Sequence, residues 1–361
     1  MKLTAAVISP VLGFLLFLPL PIYGAPTHQF DEFFPAWNVM LQEIIKNNCT
    51  ASYAAYLTGH IHRADGASSL VTPVIECILD QFPEFRKAEM AASAVILGLL
   101  PTILQSLRST SAETSLLGLR KPALAVLCAA GSPAVARMSG GEFVDKIRTY
   151  MLRGERRRQQ AGVSLMPGSS STRVPARLRP WNAVLEYVVV CGAVGNVIYL
   201  TYQLSAHAIV VFAPEIDFLL PLWTSLSVVI HIVGVMALYM RVRVRQAGDI
   251  ERDRSKLGSC VPDEFIPSDN QTPKEWEWRA GNNWFDITTW VLSIGTVMHT
   301  VFGTLIMSSL LFFSVVDSVN IVGRYAASTI ACRAVLRFEL AGMSETTKHQ
   351  GYEETQGEVG E

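Results

Sequence analysis

The feature that most limits how this chain can fold is the uncharged stretch from Ile287 to Val316, which is thirty residues long. An α-helix of that length extends about 45 Å, whereas the hydrocarbon core of a bilayer is about 30 Å thick. The stretch therefore predicts a membrane-spanning helix that tilts or projects beyond the bilayer. The composition agrees, because only 17% of the residues are charged, below the roughly 25% of a typical soluble domain.

Four further apolar segments precede this stretch, and they differ in how well they fit a full crossing. Ala183 to Leu204 and Phe218 to Met240 are long enough to span a bilayer, and Met90 to Leu107 is just long enough. Pro122 to Ala136 is short and rich in Ala, Gly and Pro, which favours a re-entrant or protein-buried arm. The sequence thus predicts an all-α, polytopic membrane protein with about 4–5 transmembrane helices, in which residues 88–137 form a weakly apolar hairpin.

The N-terminal residues 1–24 have the layout of a secretory signal peptide. Lys2 precedes an apolar block, and Gly24 lies in a region of small residues suited to cleavage. An uncleaved anchor is the alternative, since several prolines make the apolar block irregular. With either outcome, residues 25–87 are predicted to form a lumenal or extracellular segment.

That segment contains Cys49 and Cys77, two of the six cysteines in the chain. Because extracellular compartments are oxidising, we predict that these two cysteines form a disulfide. Asn48 begins an Asn-Cys-Thr glycosylation acceptor, although a disulfide at Cys49 would compete with its modification. His60 and His62 lack the other residues of a metal site and are interpreted as solvated loop residues. No metal and no cofactor are predicted.

Positive charge is concentrated in two of the connecting loops. The basic loop at residues 138–180, counted from Arg137, contains ten Lys or Arg and three acidic residues, and the loop at residues 241–285 contains eight Lys or Arg. A single crossing between Met90 and Ala136 places both loops in the cytosol, as the positive-inside rule requires. Such loops attract anionic lipid headgroups. The simpler interpretation is that they only fix the orientation.

The predicted transmembrane core covers residues 181–316, and the chain after it changes character. Residues 317–340 are predicted to form an interfacial or extramembrane helix, since Arg324 and Arg333 make another crossing expensive. This threading leaves those arginines and Arg337 outside, against the positive-inside rule. Residues 341–361 are acidic and polar, and are predicted to be a disordered tail.

Three polar residues, Asn196, His231 and His299, lie near the middle of the predicted spans, at depths that would let them form one layer. Each has a small residue about one helical turn earlier, which favours close packing of helices and hydrogen bonds between them. A second interpretation is functional. Two imidazoles within a membrane are typical of a proton or cation path.

Two long blocks of the chain resemble a known family. The blocks from Lys87 to Ala136 and from Phe302 to Met343 are similar to sequences in a family of uncharacterised integral membrane proteins of filamentous fungi. That resemblance implies a multi-pass membrane protein. It implies no activity, ligand or catalytic residue.

Sequence motifs and net charge narrow the possible classes of function. A Walker A loop, an HExxH zinc motif, a GxSxG elbow and a dinucleotide fingerprint are all absent from the sequence, so no enzyme is predicted. A net charge of −1 argues against nucleic acid as a partner. We therefore expect a non-enzymatic scaffold or receptor-like protein of the secretory pathway, most simply in the plasma membrane, with the lipid bilayer as its one identified partner. The alternative is a small-solute or ion/proton transporter that uses the Asn196, His231 and His299 layer, although no inverted repeat is visible in the sequence.

The threading predicts which thiols an impermeant reagent reaches. Applied to intact cells, such a reagent should leave Cys260 unmodified by mass spectrometry, because the loop at residues 241–285 is assigned to the cytosol. Permeabilised cells are the control, in which Cys260 should react. A glycan on Asn270 would contradict the threading, whereas its absence is uninformative because Pro273 disfavours modification at this acceptor.

Overall fold

The computed structural model describes residues 28–58, 71–136, 141–150, 179–246, 274–278 and 283–349. In this part of the chain helices predominate and the strands are short, which confirms the predicted all-α polytopic architecture. The predicted signal peptide at residues 1–24 and Cys260 lie outside the described residues, as does most of the basic loop at residues 138–180.

The described residues begin with one 3-10 turn at His28–Phe30, and the helices that follow range from 8 to 32 residues in length. The helices are α1 (Asn38–Asn47), α2 (Thr50–Thr58), α3 (Thr72–Gln81), α4 (Glu84–Leu107), α5 (Ser111–Gly118), α6 (Pro122–Ala130), α7 (141–150), α8 (Arg179–His207), α9 (Leu219–Arg241), α10 (Asn283–Ser308) and α11 (Val315–Thr346). The strands are β1 (Ile209–Val210), β2 (Val242–Gln246), β3 (Lys274–Trp278), β4 (Leu310–Leu311) and β5 (Thr347–His349).

Four of the helices, α4, α8, α9 and α10, are long and apolar enough to cross a membrane. They coincide with the predicted spans, and their order along the chain confirms a multi-pass membrane protein. The stretch from Ile287 to Val316, however, is not one helix. Helix α10 ends at Ser308, and Leu310 and Leu311 then pair with β1.

Two small sheets mark the opposite ends of the helical bundle. At one end β1 and β4 pair antiparallel, with Ile209 opposite Leu311. At the other end β2 pairs antiparallel with β3, and β5 adds to β3 in parallel. Helix α9 leads from the first end to the second, and α10 leads back. Helix α11 begins after β4 and ends at β5, so it runs the whole length of the bundle.

Helix α11 differs from a detached interfacial or extramembrane helix at residues 317–340 in that it packs against the bundle, although it is not among the helices long and apolar enough to cross a membrane. Ser318 is hydrogen-bonded to Ser93 near the outer part of α4, and Arg333 Nη1 donates to the Leu107 carbonyl at the end of α4, at 2.6 Å. Helix α11 also packs along α8. Its length was underestimated, because it continues to Thr346 and is followed by β5 within the predicted tail. Residues 350–361 lie outside the described residues.

Helix α11 has the distribution of polarity that a lipid solvent requires. Its exposed face between residues 316 and 334 is mostly apolar, with Val316, Val319 and Ile330 each more than half exposed. Its buried face carries hydroxyl and charged side chains, among them Ser318 and Glu339. A helix that turns apolar groups outward and polar groups inward fits a position among membrane helices. Arg324, Arg333 and Glu339 of α11 each contact a polar group on another element, which the sequence pattern alone does not show.

The residues before α4 form a small extramembrane domain around the turn at His28–Phe30 and helices α1 to α3. Cys49 and Cys77 are bonded in the structure, with Cα atoms 5.9 Å apart, and join the start of α2 to α3. Phe30, Trp37 and Tyr56 fill the core of this domain.

The same core extends into the outer turn of the bundle. Phe312, between β4 and α11, packs its ring against Phe33 and Phe82 at centroid distances of 5.9 and 6.2 Å. Phe312 has a φ of 62°, an uncommon conformation for a bulky residue. This backbone conformation places the ring in the domain core, so the N-terminal domain is fixed to the turn between α10 and α11.

The course of α11 predicts where the C-terminus lies. We expect an epitope tag placed after Glu361 to bind antibody only in permeabilised cells, because α11 returns the chain to the end of the bundle that carries β2 and β3. A matched tag within residues 59–70 of the N-terminal domain should bind antibody in intact cells. Equal labelling of both tags in intact cells would contradict the crossing by α11.

Candidate intramembrane polar site

Of the three predicted residues, the structure places His231 and His299 close enough to interact electrostatically, with Arg108 near both, whereas Asn196 has other partners. Asn196 on α8 instead faces α11, where its side-chain oxygen accepts hydrogen bonds from Arg324 Nε and Nη2 at 3.1 and 2.8 Å. Its amide nitrogen donates to Ser328 Oγ at 2.8 Å. Asn196 therefore satisfies an arginine on α11, which is the type of interhelical contact that small and polar residues favour in membranes.

The two histidines lie on neighbouring helices and have different partners. His299 Nε2 is 2.9 Å from the Trp223 carbonyl oxygen, and its ring stacks on the Trp223 indole with centroids 5.5 Å apart. The indole leaves no room for a side chain at Gly303, where an added β-carbon would lie 2.7 Å from Trp223 Cε2. His231 Nε2 instead lies 3.4 Å from Arg108 Nη1. His299 thus packs on Trp223 and also lies near Arg108, while His231 is directly beside Arg108.

A charged site begins where α4 ends inside the bundle. His231 is twelve residues from the start of α9 and ten from its end, which places it near the middle of a helix that rises about 1.5 Å per residue. Arg108, the residue that ends α4, is buried beside His231, and it also donates to the Ser109 carbonyl at 2.7 Å. Helix α4 therefore stops halfway along α9, and other residues fill the inner half of the bundle.

Helix α5 lies in the polar connector from Arg108 to Lys121, between the apolar segments Met90 to Leu107 and Pro122 to Ala136. Its start is a capping box, in which the Thr110 backbone nitrogen donates to Glu113 Oε2 at 2.7 Å and the Glu113 nitrogen donates to Thr110 Oγ1 at 3.4 Å. All eight residues of α5 are buried. Gly234 on α9 permits the close approach of α5, since a β-carbon there would lie 3.2 Å from Ser115 Oγ.

Helix α6 turns back from α5 and completes a helical hairpin within the bundle. The predicted arm from Pro122 to Ala136 is helical only to Ala130, because an extended segment follows Gly131. A β-carbon at Gly131 would collide with Sγ of Cys332 on α11 and would lie 3.4 Å from Cβ of Ala193 on α8. Helices α5 and α6, called the hairpin below, are thus enclosed by α8, α9 and α11.

The tip of the hairpin carries a lysine between two carboxylates. Lys121 Nζ lies 2.7 Å from Glu339 Oε1 on α11 and 3.8 Å from Glu186 Oε2 on α8. Lys121, Glu339 and Glu186 are only 0%, 2% and 6% exposed. This Lys121, Glu186 and Glu339 cluster joins three elements that are distant in the sequence. Glu186, which lies in the predicted span Ala183 to Leu204, is thus buried beside this lysine.

Other ionisable groups surround the cluster. Arg120, next to Lys121 at the tip, is buried and interacts electrostatically with Glu339. Cys128 on α6 is hydrogen-bonded to Cys332 on α11, and Cys128 interacts electrostatically with both glutamates. Two cationic and two anionic side chains are therefore gathered at the tip, with a pair of thiols beside them. Among the described residues, no group of three or more His, Cys, Asp or Glu could hold a metal ion.

The buried face of α11 continues this polar character toward the outer end of the bundle. Thr329, at the depth between Arg333 and Tyr325, is completely buried, and the Tyr325 hydroxyl lies 3.2 Å from Thr201 Oγ1 on α8. Ser318, which is closer to the start of α11, is completely buried as well. Helix α11 thus presents hydroxyl and charged groups to the bundle at successive depths.

Sequence reasoning missed the cluster, although two local signals were present. The Thr110 and Glu113 spacing of a capping box predicts a helix start within the polar connector. Glu339 lies in a helical pattern that was assigned outside the membrane. The sequence did not show that Lys121 and Glu339 are partners, because they are 218 residues apart.

A separate groove lies on the N-terminal domain between α1 and α2. It has a volume of about 650 Å³ and is lined mainly by apolar atoms, with Val39, Ile45 and Leu57 among its residues. Tyr53 also lines it and donates to Asp31 Oδ1 at 3.4 Å. Burial, followed by the charge of Asp31, raises the pKa of the Tyr53 hydroxyl.

The cluster predicts a large loss of stability when one partner is removed. We expect Lys121→Met and Glu339→Gln each to reduce the free energy of unfolding by about 3–5 kcal/mol, because a buried charge loses its partner. The double variant should lose less than the sum of the two. Thermal unfolding in detergent measures these losses as lower Tm values.

The exposed pair Lys87 and Glu84, at 2.8 Å, is the matched control. Lys87→Met and Glu84→Gln should leave the Tm almost unchanged, since exposed ion pairs contribute little. Strictly additive losses in the Lys121 and Glu339 series would contradict a direct interaction between the two side chains.

Comparisons with known proteins add no further constraint on this site. The chain matches no protein-family model, and no curated protein and no solved structure is similar to it. The chemistry of the site therefore has to be argued from its own residues.

Proposed function

We propose that this protein is a membrane transporter for ions or small solutes, and that the hairpin and α11 form its transport site. One observation carries the proposal. Helix α4 stops in the middle of the bundle, and the hairpin that replaces it brings Arg108, Glu113 and Lys121 into the interior. Ionisable groups are rare within membranes, and they typically mark the paths of ions or substrates.

An interrupted helix followed by a buried hairpin is also typical of transport proteins. Half-helices in such proteins place backbone and side-chain polar groups at the depth where the substrate binds. Here the end of α4 exposes the Leu107 carbonyl to Arg333 of α11. The proposal rests on this geometry and not on an inverted repeat, which the sequence does not contain. It also moves the transport site of the sequence-based alternative from Asn196 and His299 to the hairpin.

The bundle is closed in this conformation. The cavity between the hairpin and α9, lined by Thr114, Ala129 and His231 among others, has a volume of about 20 Å³, enough for roughly one water molecule. Transport therefore requires the hairpin to move. The hairpin is suited to this because it is attached at its tip by ion pairs and along its sides by small residues such as Gly118, Ala125 and Gly131.

The cellular setting belongs to the same proposal. The signal-like N-terminus and the disulfide between Cys49 and Cys77 support the secretory pathway, and the plasma membrane is the simplest destination. Exposed Asn48 is the expected glycan site. The basic loops then face the cytosol, where anionic lipid headgroups are their proposed contacts. The resemblance to the fungal membrane family fits this setting and adds no activity.

A receptor-like or scaffold function is the second candidate, and a different observation favours it. The groove between α1 and α2 falls within the range of about 300–1,000 Å³ that is common for ligand sites. The groove belongs to the N-terminal domain. The core of that domain includes Phe312, which lies shortly before α11. A ligand bound in the groove would thereby be coupled mechanically to α11.

Charge movement across a membrane separates these functions. Purified protein in liposomes is adsorbed on a solid-supported electrode and exposed to jumps of pH, Na⁺, K⁺, amino acids and sugars. We expect a transient current for at least one of these solutes. The current should fall at least several-fold in Glu339→Gln and Lys121→Met, because both changes remove charge from the transport site.

The Lys87→Met variant is the control, since Lys87 is on the exposed part of α4 and should keep the parent current. Protein-free liposomes give the background. Currents no larger than that background for every solute would contradict the transport proposal for those solutes and would favour the receptor-like function.

A further inference from the structure

The cluster of Lys121, Glu186 and Glu339 contains one ammonium group for two buried carboxylates. The ammonium is close to Glu339, at 2.7 Å, and more distant from Glu186, at 3.8 Å. We infer that this cluster is a proton-binding site, and that protonation of Glu339 releases the tip of the hairpin, so that the proton is the coupling ion. The inference rests on the proposed transport function, since it names the ion that the site uses.

The position of Lys121 explains why a proton would act on the whole hairpin. Lys121 lies between α5 and α6, and its short ion pair connects the tip of the hairpin to α11. When a proton from the cytosolic side binds Glu339 Oε1, the charge-assisted hydrogen bond from Lys121 Nζ is lost. The lysine is then a buried cation without its main counter-charge, which is unfavourable in a membrane protein interior. Movement of the tip toward water relieves that cost.

Glu186 makes the release reversible within the cluster. Because it lies on α8 at 3.8 Å, it offers the ammonium a second carboxylate when Glu339 is neutral. The lysine can therefore exchange partners with a small displacement. The proton and the ammonium compete for the same carboxylate, which is the arrangement that links proton binding to a change of position.

The surrounding groups favour a proton over a metal cation. Arg120 at the tip already adds a second positive charge near Glu339, and Cys128 and Cys332 are the other ionisable groups that face the cluster. A metal ion such as Na⁺ would have to displace a lysine and approach a guanidinium. Hard cations also prefer several oxygen ligands, whereas the described residues include no group of three or more His, Cys, Asp or Glu that could hold a metal ion.

The chain contains its own reporter for release of the hairpin. Cys128 and Cys332 are buried where the hairpin meets α11, whereas Cys191 on α8 is exposed. Movement of the tip separates α6 from α11 and opens the two buried thiols to a small membrane-permeant reagent. Cys191 lies in the middle of a candidate membrane span, so Cys260, in the loop predicted to be cytosolic, is the reference, and the ratio of Cys332 to Cys260 modification removes the intrinsic effect of pH on thiol reactivity.

The experiment measures that ratio in full-length protein in lipid nanodiscs, with N-ethylmaleimide as the probe and mass spectrometry as the readout. As the pH is lowered from about 8 to about 5, the ratio should rise, by up to about tenfold per pH unit while Glu339 is mainly ionised. In Glu339→Gln, which resembles the protonated residue, the ratio should be high and independent of pH. Glu84→Gln, an exposed glutamate on α4, should behave as the parent does.

Two results would overturn the inference. The first is a ratio in the parent protein that stays constant over this pH range. The second is a Glu339→Gln variant that remains monodisperse and keeps the pH response of the parent. Because the labelling measures no flux, a positive labelling result with no current would leave the proton site standing and remove the transport function instead. The first result is measured on the parent protein alone, so the test still decides the inference if Glu339→Gln misfolds.

Discussion

The cost of an unpaired charge in a lipid-embedded bundle determines the inner half of this structure. Many of the charges in the bundle are supplied by two segments that did not fit a full membrane crossing, namely the hairpin and α11. Three of these charged groups face a polar group on another element. Lys121 pairs with Glu339, Arg324 bonds to Asn196, and Arg333 donates to the end of α4. The fold is therefore a set of helices whose positions depend on one another through these contacts.

Such pairs are weak evidence for stability, because the cost of removing two charges from water offsets most of their attraction. Their value lies elsewhere. An apolar hairpin could slide among apolar helices, since lipid and aliphatic side chains are similar solvents for it. A lysine at the tip that fits one carboxylate defines a single position for the hairpin. Glu186 offers the lysine a second position. In the proposed mechanism, protonation of Glu339 changes the free-energy difference between the two positions. A site of this type is thus both a fixed attachment and a point of release.

The sequence predicted the parts of the fold that depend on local composition. A run such as Phe218 to Met240 is a membrane helix whatever surrounds it, because its own side chains decide the free energy of transfer into lipid. The hairpin and α11 are different, because their charges are acceptable only in the presence of partners as many as 218 residues away. The predicted layer of three polar residues misplaced Asn196 for a related reason. The depths of Asn196 and His299 followed from helical rise, but the direction of each side chain depends on which helices are neighbours, and α11 had been placed outside.

The N-terminal domain gives the movement of α11 a consequence at the other end of the bundle. Phe312 is buried in the core of that domain, and α11 begins three residues later. The left-handed backbone at Phe312 leaves little freedom to absorb a displacement of the helix without moving the ring. In the proposed mechanism, release of the hairpin at Glu339 would relax the inner end of α11, whereas a ligand between α1 and α2 would act on its outer end. The transport and receptor-like functions therefore share one mechanical element, and a ligand in the groove that favours one position of α11 must be bound more tightly when the hairpin is in the matching position.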